Sequence, residues 1–182
     1  FRDEVVEVDE VDRQGEIVRR KQLMQLPAVV DGETMPKEGW LVDFCRSERQ
    51  QGRKVLIYLR QTGTRDIQDR ILKILQDGGV RAEVLTSGVN PRKREEWIAK
   101  RVFGLDALVV NPKLVETGLD LIAFQSVVFA EIEYSLYTLW QAVRRVWRLG
   151  QTKPVKAIFS VYSDAMEARA LALMGQKMKA AQ

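Results

Sequence analysis

The chain has 182 residues, of which 46% are hydrophobic and 30% are charged, a composition typical of one globular domain with a sizeable core. It contains 29 Lys and Arg against 25 Asp and Glu, so its formal net charge of +4 is a mild bias towards polyanions. Cys45 is the single cysteine and histidine is absent, which excludes an intrachain disulfide and a Cys/His metal cluster. We therefore expect no metal site.

The charges are unevenly distributed along the chain. Acidic residues dominate from Phe1 to Asp12, whereas residues 92–101 and 144–148 are basic. The acidic N-terminus lacks the basic-then-apolar layout of a signal peptide, and no apolar run approaches the ~20 residues of a membrane span. We expect a cytoplasmic protein without membrane contact. Because the chain begins with Phe1, we also expect it to be part of a longer polypeptide.

The N-terminal third has weak patterns. Residues 1–20 alternate valines with acids, which predicts an edge strand or a frayed arm. Residues 16–28 have the apolar spacing of a helical turn or two before Pro27. Residues 38–51 form an amphipathic pattern that Gly52 ends, which predicts a helix. We assign residues 1–52 to an N-terminal appendage and residues 53–182 to the main domain.

Past Lys54, short apolar runs alternate with helical patterns. Strands are predicted at residues 55–59, 82–85, 107–110, 127–130 and 157–161. Helices are predicted at residues 66–75, 91–103, 137–149 and 163–179. Strands that are apolar on both sides and separated by helices are typical of a parallel sheet covered on both faces. The pattern predicts an α/β fold with a doubly wound, mainly parallel sheet sandwiched by helices.

In such a sheet, ligands bind at the carboxyl ends of the strands. The loops after the first three predicted strands carry basic, amide, hydroxyl and glycine residues, which are suited to a nucleic-acid phosphate chain. Each loop taken singly is equally consistent with helix capping. The residues we expect to contact nucleic acid are Arg60, Gln61, Thr62, Gly88, Arg92, Arg94, Asn111 and Lys113.

Residues 141–151 read Q-A-V-R-R-V-W-R-L-G-Q and place Gln141, Arg145 and Arg148 at offsets of zero, four and seven. On a helix these positions share one face, and the planar guanidinium is well suited to phosphate oxygens. Arg144 would lie about 100° round the helix from Arg145 and so off this face. The simpler alternative is an ordinary basic amphipathic helix.

Four segments together resemble the motifs of the second, C-terminal RecA-like domain of superfamily-two helicases and translocases, nearest to the Swi/Snf-like group. K-V-L-I-Y-L at residues 54–59 resembles the fourth motif, and L-T-S-G-V-N-P-R-K-R at residues 85–94 resembles the element that follows it. T-G-L-D at residues 117–120 is similar to the end of the fifth motif, and R-x-x-R-x-G-Q within residues 141–151 is similar to the sixth.

The resemblance implies half of an ATP site. Arg145 and Arg148 match the arginine fingers, whereas Gly118, Asp120 and Gln141 match positions that contact the nucleotide. No G-x-x-x-x-G-K-[ST] loop and no D-E-x-[DH] run occurs in the sequence, so the resemblance implies that ATP and Mg²⁺ are held mostly by an N-terminal RecA-like domain of the same polypeptide. We expect a nucleic-acid-dependent ATPase that acts on DNA in preference to RNA, with this half inactive alone.

Two other classes of function remain open at this point. One is a self-sufficient nucleic-acid-binding module that uses the basic loops without ATPase activity. The other is an unrelated doubly wound domain, such as a nucleotide-sugar binder, whose arginines hold a diphosphate. A doubly wound sheet is compatible with all three.

Overall fold

The computed structural model describes residues 2–11, 17–26, 32–60, 66–115, 118–131, 135–163 and 165–180. The chain forms two compact units, Phe1–Glu33 and Thr34–Gln182. This division differs from the one predicted after residue 52, because the helix before that residue packs on the second unit. Its side chains Leu41 and Cys45 are buried in the core of that unit.

The first unit is a β-hairpin. Strand β1 (Arg2–Val11) pairs antiparallel with β2 (Ile17–Leu26), with Arg2 opposite Leu26 and Val11 opposite Ile17. The extended structure predicted for the first residues is confirmed, but the helical turn predicted within residues 16–28 is wrong. Helical spacing of a few apolar residues is a weak preference, and the cross-strand hydrogen bonds of a ten-residue ladder override it.

The second unit contains five strands and six helices among the described residues. The helices are α1 (Pro36–Gln50), α2 (Gln68–Asp77), α3 (Arg94–Arg101), α4 (Pro112–Val115), α5 (Leu136–Arg144) and α6 (Met166–Ala180). The strands are β3 (Val55–Tyr58), β4 (Ala82–Leu85), β5 (Ala107–Val110), β6 (Ser126–Phe129) and β7 (Lys156–Phe159). Short 3₁₀ turns at Pro91–Lys93 and Val102–Gly104 flank α3.

The five strands form one parallel sheet in the order β4-β5-β3-β6-β7. From the central strand β3 the chain runs out to β4 at one edge, returns through β5, and then crosses to β6 and β7 on the other side. This order puts the topological switch point beside the carboxyl end of β3, between β5 and β6. The predicted doubly wound α/β fold is confirmed.

Alternate residues of the strands build a core on each face of the sheet. Leu56 and Tyr58 of β3 belong to the cluster that includes side chains of α3, α5 and α6. Val55 and Ile57 belong to the cluster that includes side chains of α1 and α2. All four are almost fully buried, which explains why the strands read as continuous apolar runs. Along the described part of the chain, no helix is both long and apolar enough to cross a membrane.

Helix α5 ends at Arg144, earlier than the predicted helix over residues 137–149. In a longer helix the carbonyl of Arg145 would accept a hydrogen bond from the backbone N–H of Leu149. Instead it accepts one from the N–H of Leu121, at an N–O distance of 3.1 Å. Residues 145–150 therefore form a turn, in which Gly150 has a φ of 101° that favours glycine.

Candidate functional site

The carboxyl ends of β3, β5 and β6 are joined by side-chain hydrogen bonds to the backbone of Arg60. The Arg60 N–H donates to Glu131 Oε2 at 2.5 Å, and Asn111 Nδ2 donates to the Arg60 carbonyl at 2.8 Å. These bonds fix the backbone at the switch point while the Arg60 side chain is exposed. Gln61 and Thr62, which the sequence places next to it, lie outside the described residues.

Asn111 acts within the fold in this arrangement. It is 6% exposed, and its Oδ1 accepts the backbone N–H of Lys113 at 3.0 Å while its Nδ2 binds Arg60. Both ends of the amide are thus used by the backbone. Lys113, by contrast, is exposed at the start of α4. In the loop after β5, the lysine side chain is therefore accessible to a ligand, whereas the Asn111 amide binds the backbone.

The loop after β4 presents Gly88 and Arg92 to solvent. Asn90 caps the turn that follows, because its Oδ1 accepts the Arg92 N–H at 3.0 Å. Arg94 is only 8% exposed, and its Nε and Nη1 donate to the carbonyls of Val89 and Leu114 at 3.2 and 2.9 Å. Its guanidinium therefore connects the loop after β4 to α4.

The segment from Gly118 to Ile122 alternates between core and surface. Leu119 and Leu121 are buried, whereas Gly118 and Asp120 are exposed. Gly118 has a φ of 72°, and Asp120 Oδ1 accepts the Ile122 N–H at 3.2 Å. The two leucines anchor the segment in the core, so the carboxylate of Asp120 is held at the surface on a fixed backbone.

The structure brings Gln141, Arg145 and Arg148 together, but not along the face of one continuous helix as predicted. They line a shallow depression of about 520 Å³ together with Arg144, Trp147 and Leu149. The shared surface arises from the last turn of α5 and the following turn, and this geometry also brings in Arg144. Arg144 therefore borders the depression as well, although it precedes Arg145 by one helical step of about 100°.

The arginines of the depression differ in environment. Arg148 and Arg144 are exposed, whereas Arg145 is partly buried. The nearby hydroxyl of Tyr58 donates to the Ala142 carbonyl at 3.3 Å. Burial raises the pKa of Tyr58, and the positive charge of Arg145 acts in the opposite direction. Arg148 is therefore more accessible than Arg145.

Two hydrogen bonds attach the turn to the segment that carries Asp120. The Leu121 N–H donates to the Arg145 carbonyl at 3.1 Å, and Gln151 Nε2 donates to the Ile122 carbonyl at 2.9 Å. Segments that resemble the fifth and sixth helicase motifs are therefore physically joined. The spacing of residues 141–151 does not indicate this role for Gln151, because its partner Ile122 is distant in sequence.

The site suits an anion and not a divalent cation. The residues that line the depression are three arginines, one amide and two apolar side chains, with no carboxylate among them. Within the described ranges, no cluster of His, Cys, Asp or Glu is arranged to hold a metal ion. Guanidinium groups match phosphate oxygens, whereas Mg²⁺ requires oxygen ligands such as carboxylates.

The helicase conserved C-terminal domain family matches residues 36–150. Among solved structures, the C-terminal part of the Fun30 ATPase domain has a similar fold, with a TM-score of 0.62 and 19% sequence identity over 75% of this chain. The chain covers 44% of the length of that structure. No curated protein matches it. The matched range begins at α1 and ends at Gly150, so it includes the first three motif-like segments and all of the fourth except Gln151. The chain belongs to the helicase conserved C-terminal domain family.

Proposed function

We propose that this chain is the C-terminal motor half of a nucleic-acid-dependent ATPase, a helicase or translocase nearest to the Swi/Snf-like group. It requires an N-terminal RecA-like domain of the same polypeptide, and we place that polypeptide in the cytoplasm. The observation that carries the proposal is the guanidinium-lined depression, whose turn is hydrogen-bonded to the segment with Asp120.

In this proposal Arg145 and Arg148 stabilise charge on the transferred phosphoryl group. Arg148 is exposed and can reach an ATP molecule that the N-terminal domain presents across the cleft. Arg145, which is partly buried, supports the same charge from a less accessible position. An arginine finger contributes ~10³ to 10⁵ in rate because it stabilises the charge that develops in the transition state.

Asp120, Gly118 and Gln141 complete this half of the nucleotide site. The exposed Asp120 carboxylate is suited to accept a hydrogen bond from a ribose hydroxyl, and Gly118 beside it allows close approach of the nucleotide. The partly buried Gln141 amide lines the depression with the arginines. We assign Mg²⁺ and most phosphate contacts to the N-terminal domain, because the depression has no carboxylate. Bound ATP supplies the phosphoryl group and the free energy for stepping.

The loops at the carboxyl edge of the sheet would hold the nucleic-acid backbone. Gly88, Arg92 and Lys113 are exposed there, and so is Arg60. Gln61 and Thr62 belong to the same proposal. Asn111 and Arg94 act indirectly, since their side chains hold the loops. Backbone contacts imply little sequence preference, and we propose DNA in preference to RNA as the polymer. Comparing DNA and RNA as stimulators of ATP turnover tests that choice.

The proposal is tested by replacing each arginine in the longer polypeptide. We expect Arg148→Ala and Arg145→Ala each to lower nucleic-acid-stimulated ATP turnover by about 10²-fold or more, with nucleic-acid binding nearly unchanged. Arg46→Ala is a matched control, because Arg46 is exposed on α1, on the opposite face of the sheet from α5. Turnover and melting temperature are measured on the same preparations.

The same measurements identify a purely structural role. If turnover falls only in proportion to unfolded protein, the arginine stabilises the fold and is not a finger. Normal turnover of the Arg148→Ala variant would contradict the proposed mechanism. Nucleic-acid binding without any ATPase activity in the longer polypeptide would instead support the self-sufficient binding module.

A further inference from the structure

We infer that Gln151 is a positioning residue for Arg148: its side-chain amide fixes the turn 145–150 against the segment that carries Asp120. The inference rests on the proposed function, because Arg148 must act on ATP for its position to matter. It concerns a residue that contacts neither of the proposed ligands.

The turn receives little support from its own side chains. Leu149 is fully exposed and Trp147 is 63% exposed, and in this turn only Val146 is completely buried. The helix ends at Arg144, so helical hydrogen bonds do not extend to Arg148. With a φ of 101°, Gly150 adds a residue with high backbone freedom in the unfolded chain. Hydrogen bonds must therefore be the main interactions that hold the turn in one conformation.

Gln151 makes two of the hydrogen bonds of this turn and also bonds to the neighbouring segment. Its Nε2 donates to the carbonyls of Ile122 and Val146, at 2.9 and 3.1 Å. Its backbone N–H donates to the Arg148 carbonyl at 3.0 Å, and its Oε1 accepts the Lys153 N–H at 3.2 Å. A primary amide has two N–H donors. Here the two carbonyls that they meet belong to the turn and to the neighbouring segment.

This geometry requires donors at that position. A carboxylate of the same shape would direct oxygens at the carbonyls of Ile122 and Val146, and a methyl group would leave both without this donor. Either change would remove the hydrogen bond from Gln151 to Ile122. This bond is one of the two that attach the turn to the segment with Asp120. A misplacement of about 1 Å at a catalytic group costs about 10²-fold in rate. The expected effect therefore falls on turnover and not on nucleotide affinity.

The test uses the longer polypeptide with Gln151→Ala and with Gln151→Glu, which keeps the shape and removes the donors. We expect kcat for nucleic-acid-stimulated ATP hydrolysis to fall about 10- to 100-fold in both. The KM for ATP and the affinity for nucleic acid should change less than about threefold. Gln76→Ala is the matched control, because Gln76 Nε2 also donates to a backbone carbonyl, that of Ala82 at 3.2 Å.

A double mutant separates positioning from general stabilisation. In an Arg148→Ala background, Gln151→Ala should lower turnover by less than about twofold, since the group that it positions is already gone. A loss that multiplies with that of Arg148→Ala would overturn the inference, as would normal turnover of Gln151→Glu beside a defective Arg148→Ala. If Arg148→Ala itself has normal turnover, the proposed function fails and this inference fails with it.

Discussion

Two arginines separated by one residue lie in different environments, which their residue type alone does not indicate. Arg92 lies exposed in the 3₁₀ turn before α3. Arg94 is buried and donates to two backbone carbonyls, from the loop after β4 and from α4. The sequence pattern placed both in the same class of nucleic-acid contact. Burial of Arg94 depends on packing between elements that a local pattern does not contain.

The two roles predict different consequences of replacement. Arg94→Ala should lower the free energy of unfolding by about 1–3 kcal/mol, because the carbonyls of Val89 and Leu114 lose a charged donor. Arg92→Ala should change it by less than about 0.5 kcal/mol and weaken nucleic-acid binding. Chemical denaturation and a binding titration measure the two effects. An Arg94→Ala variant of unchanged stability would contradict the structural role.

Other site residues were predictable to different degrees for the same reason. Gln141, Arg145 and Arg148 were placed on one surface by their spacing, and the depression brings them together. Asn111 was expected to face a ligand, but both ends of its amide bind the backbone. The role of Gln151 at the end of the sixth-motif-like segment was not predictable, because its side chain meets Ile122 and Val146 only in the folded chain.

At the scale of elements, the strands were predictable because both of their faces are buried. Residues such as those of β3 and β5 form continuous apolar runs, which no exposed element would carry. The end of α5 was not predictable, because the Arg145 carbonyl is taken by Leu121, a partner distant in sequence. The same holds for β2, whose structure comes from pairing with β1.

A buried carboxylate joins α1, the loop before β3, β6 and β7 at the amino edge of the sheet. Glu48, near the end of α1, is 2% exposed and accepts hydrogen bonds from Arg53, Ser126 and Lys156. Ser126 and Lys156 are the first residues of β6 and β7. The pKa of Glu48 is lowered to about 2, mainly by the hydrogen bonds from Arg53. Burial acts in the opposite direction, and the hydrogen bonds from Ser126 and Lys156 lower the pKa further.

This cluster predicts a loss of stability in acid. Because the pKa of Glu48 is lower in the folded chain than its ordinary 4.5, its contribution is complete above that pH and is lost as pH falls towards about 2. The contribution is up to about 3 kcal/mol, from ~1.4 kcal/mol per pKa unit. Thermal unfolding between pH 6 and about 2 measures it.

Two variants test this assignment. Glu48→Gln should flatten the dependence of stability on pH across that range. Glu96→Gln is the control, because Glu96 pairs with Lys100 on the exposed surface of α3, where ion pairs contribute little. An unchanged acid profile in Glu48→Gln would show that other carboxylates control the transition.

At the scale of the whole molecule, the two edges of the sheet differ in how their charges are used. At the amino edge, Glu48 and Asp106 are paired with arginines and a lysine. At the carboxyl edge, Arg60, Arg92 and Lys113 are exposed. The guanidinium-lined depression shares no lining residue with these carboxyl-edge loops. The residues that we propose for polyanion binding and those that we propose for contact with ATP can therefore be mutated separately.

We predict that the 182-residue chain alone binds nucleic acid weakly but shows no nucleic-acid-stimulated ATP hydrolysis. It can bind because the carboxyl-edge cations are present, and it cannot hydrolyse ATP because a phosphate-binding loop and a magnesium-binding carboxylate are required from the partner domain. Binding should weaken as salt rises, with a log–log slope of about −0.9 per phosphate contact on duplex DNA. Robust turnover by the chain alone would contradict the half-site mechanism.

The side chains responsible for nucleic-acid binding are identified by neutralising three charges at once. Replacing Arg60, Arg92 and Lys113 by alanine should reduce the magnitude of the salt slope by up to about three, because each side chain displaces about one counterion. The control removes the same charge from exposed positions elsewhere, by alanine at Arg46, Lys73 and Lys177. Since long-range attraction depends on net charge and both triple variants have the same net charge, only specific contacts at the carboxyl edge can make them differ. Equal salt slopes for the two variants would therefore contradict the assignment of the nucleic-acid interface to the carboxyl edge of this sheet.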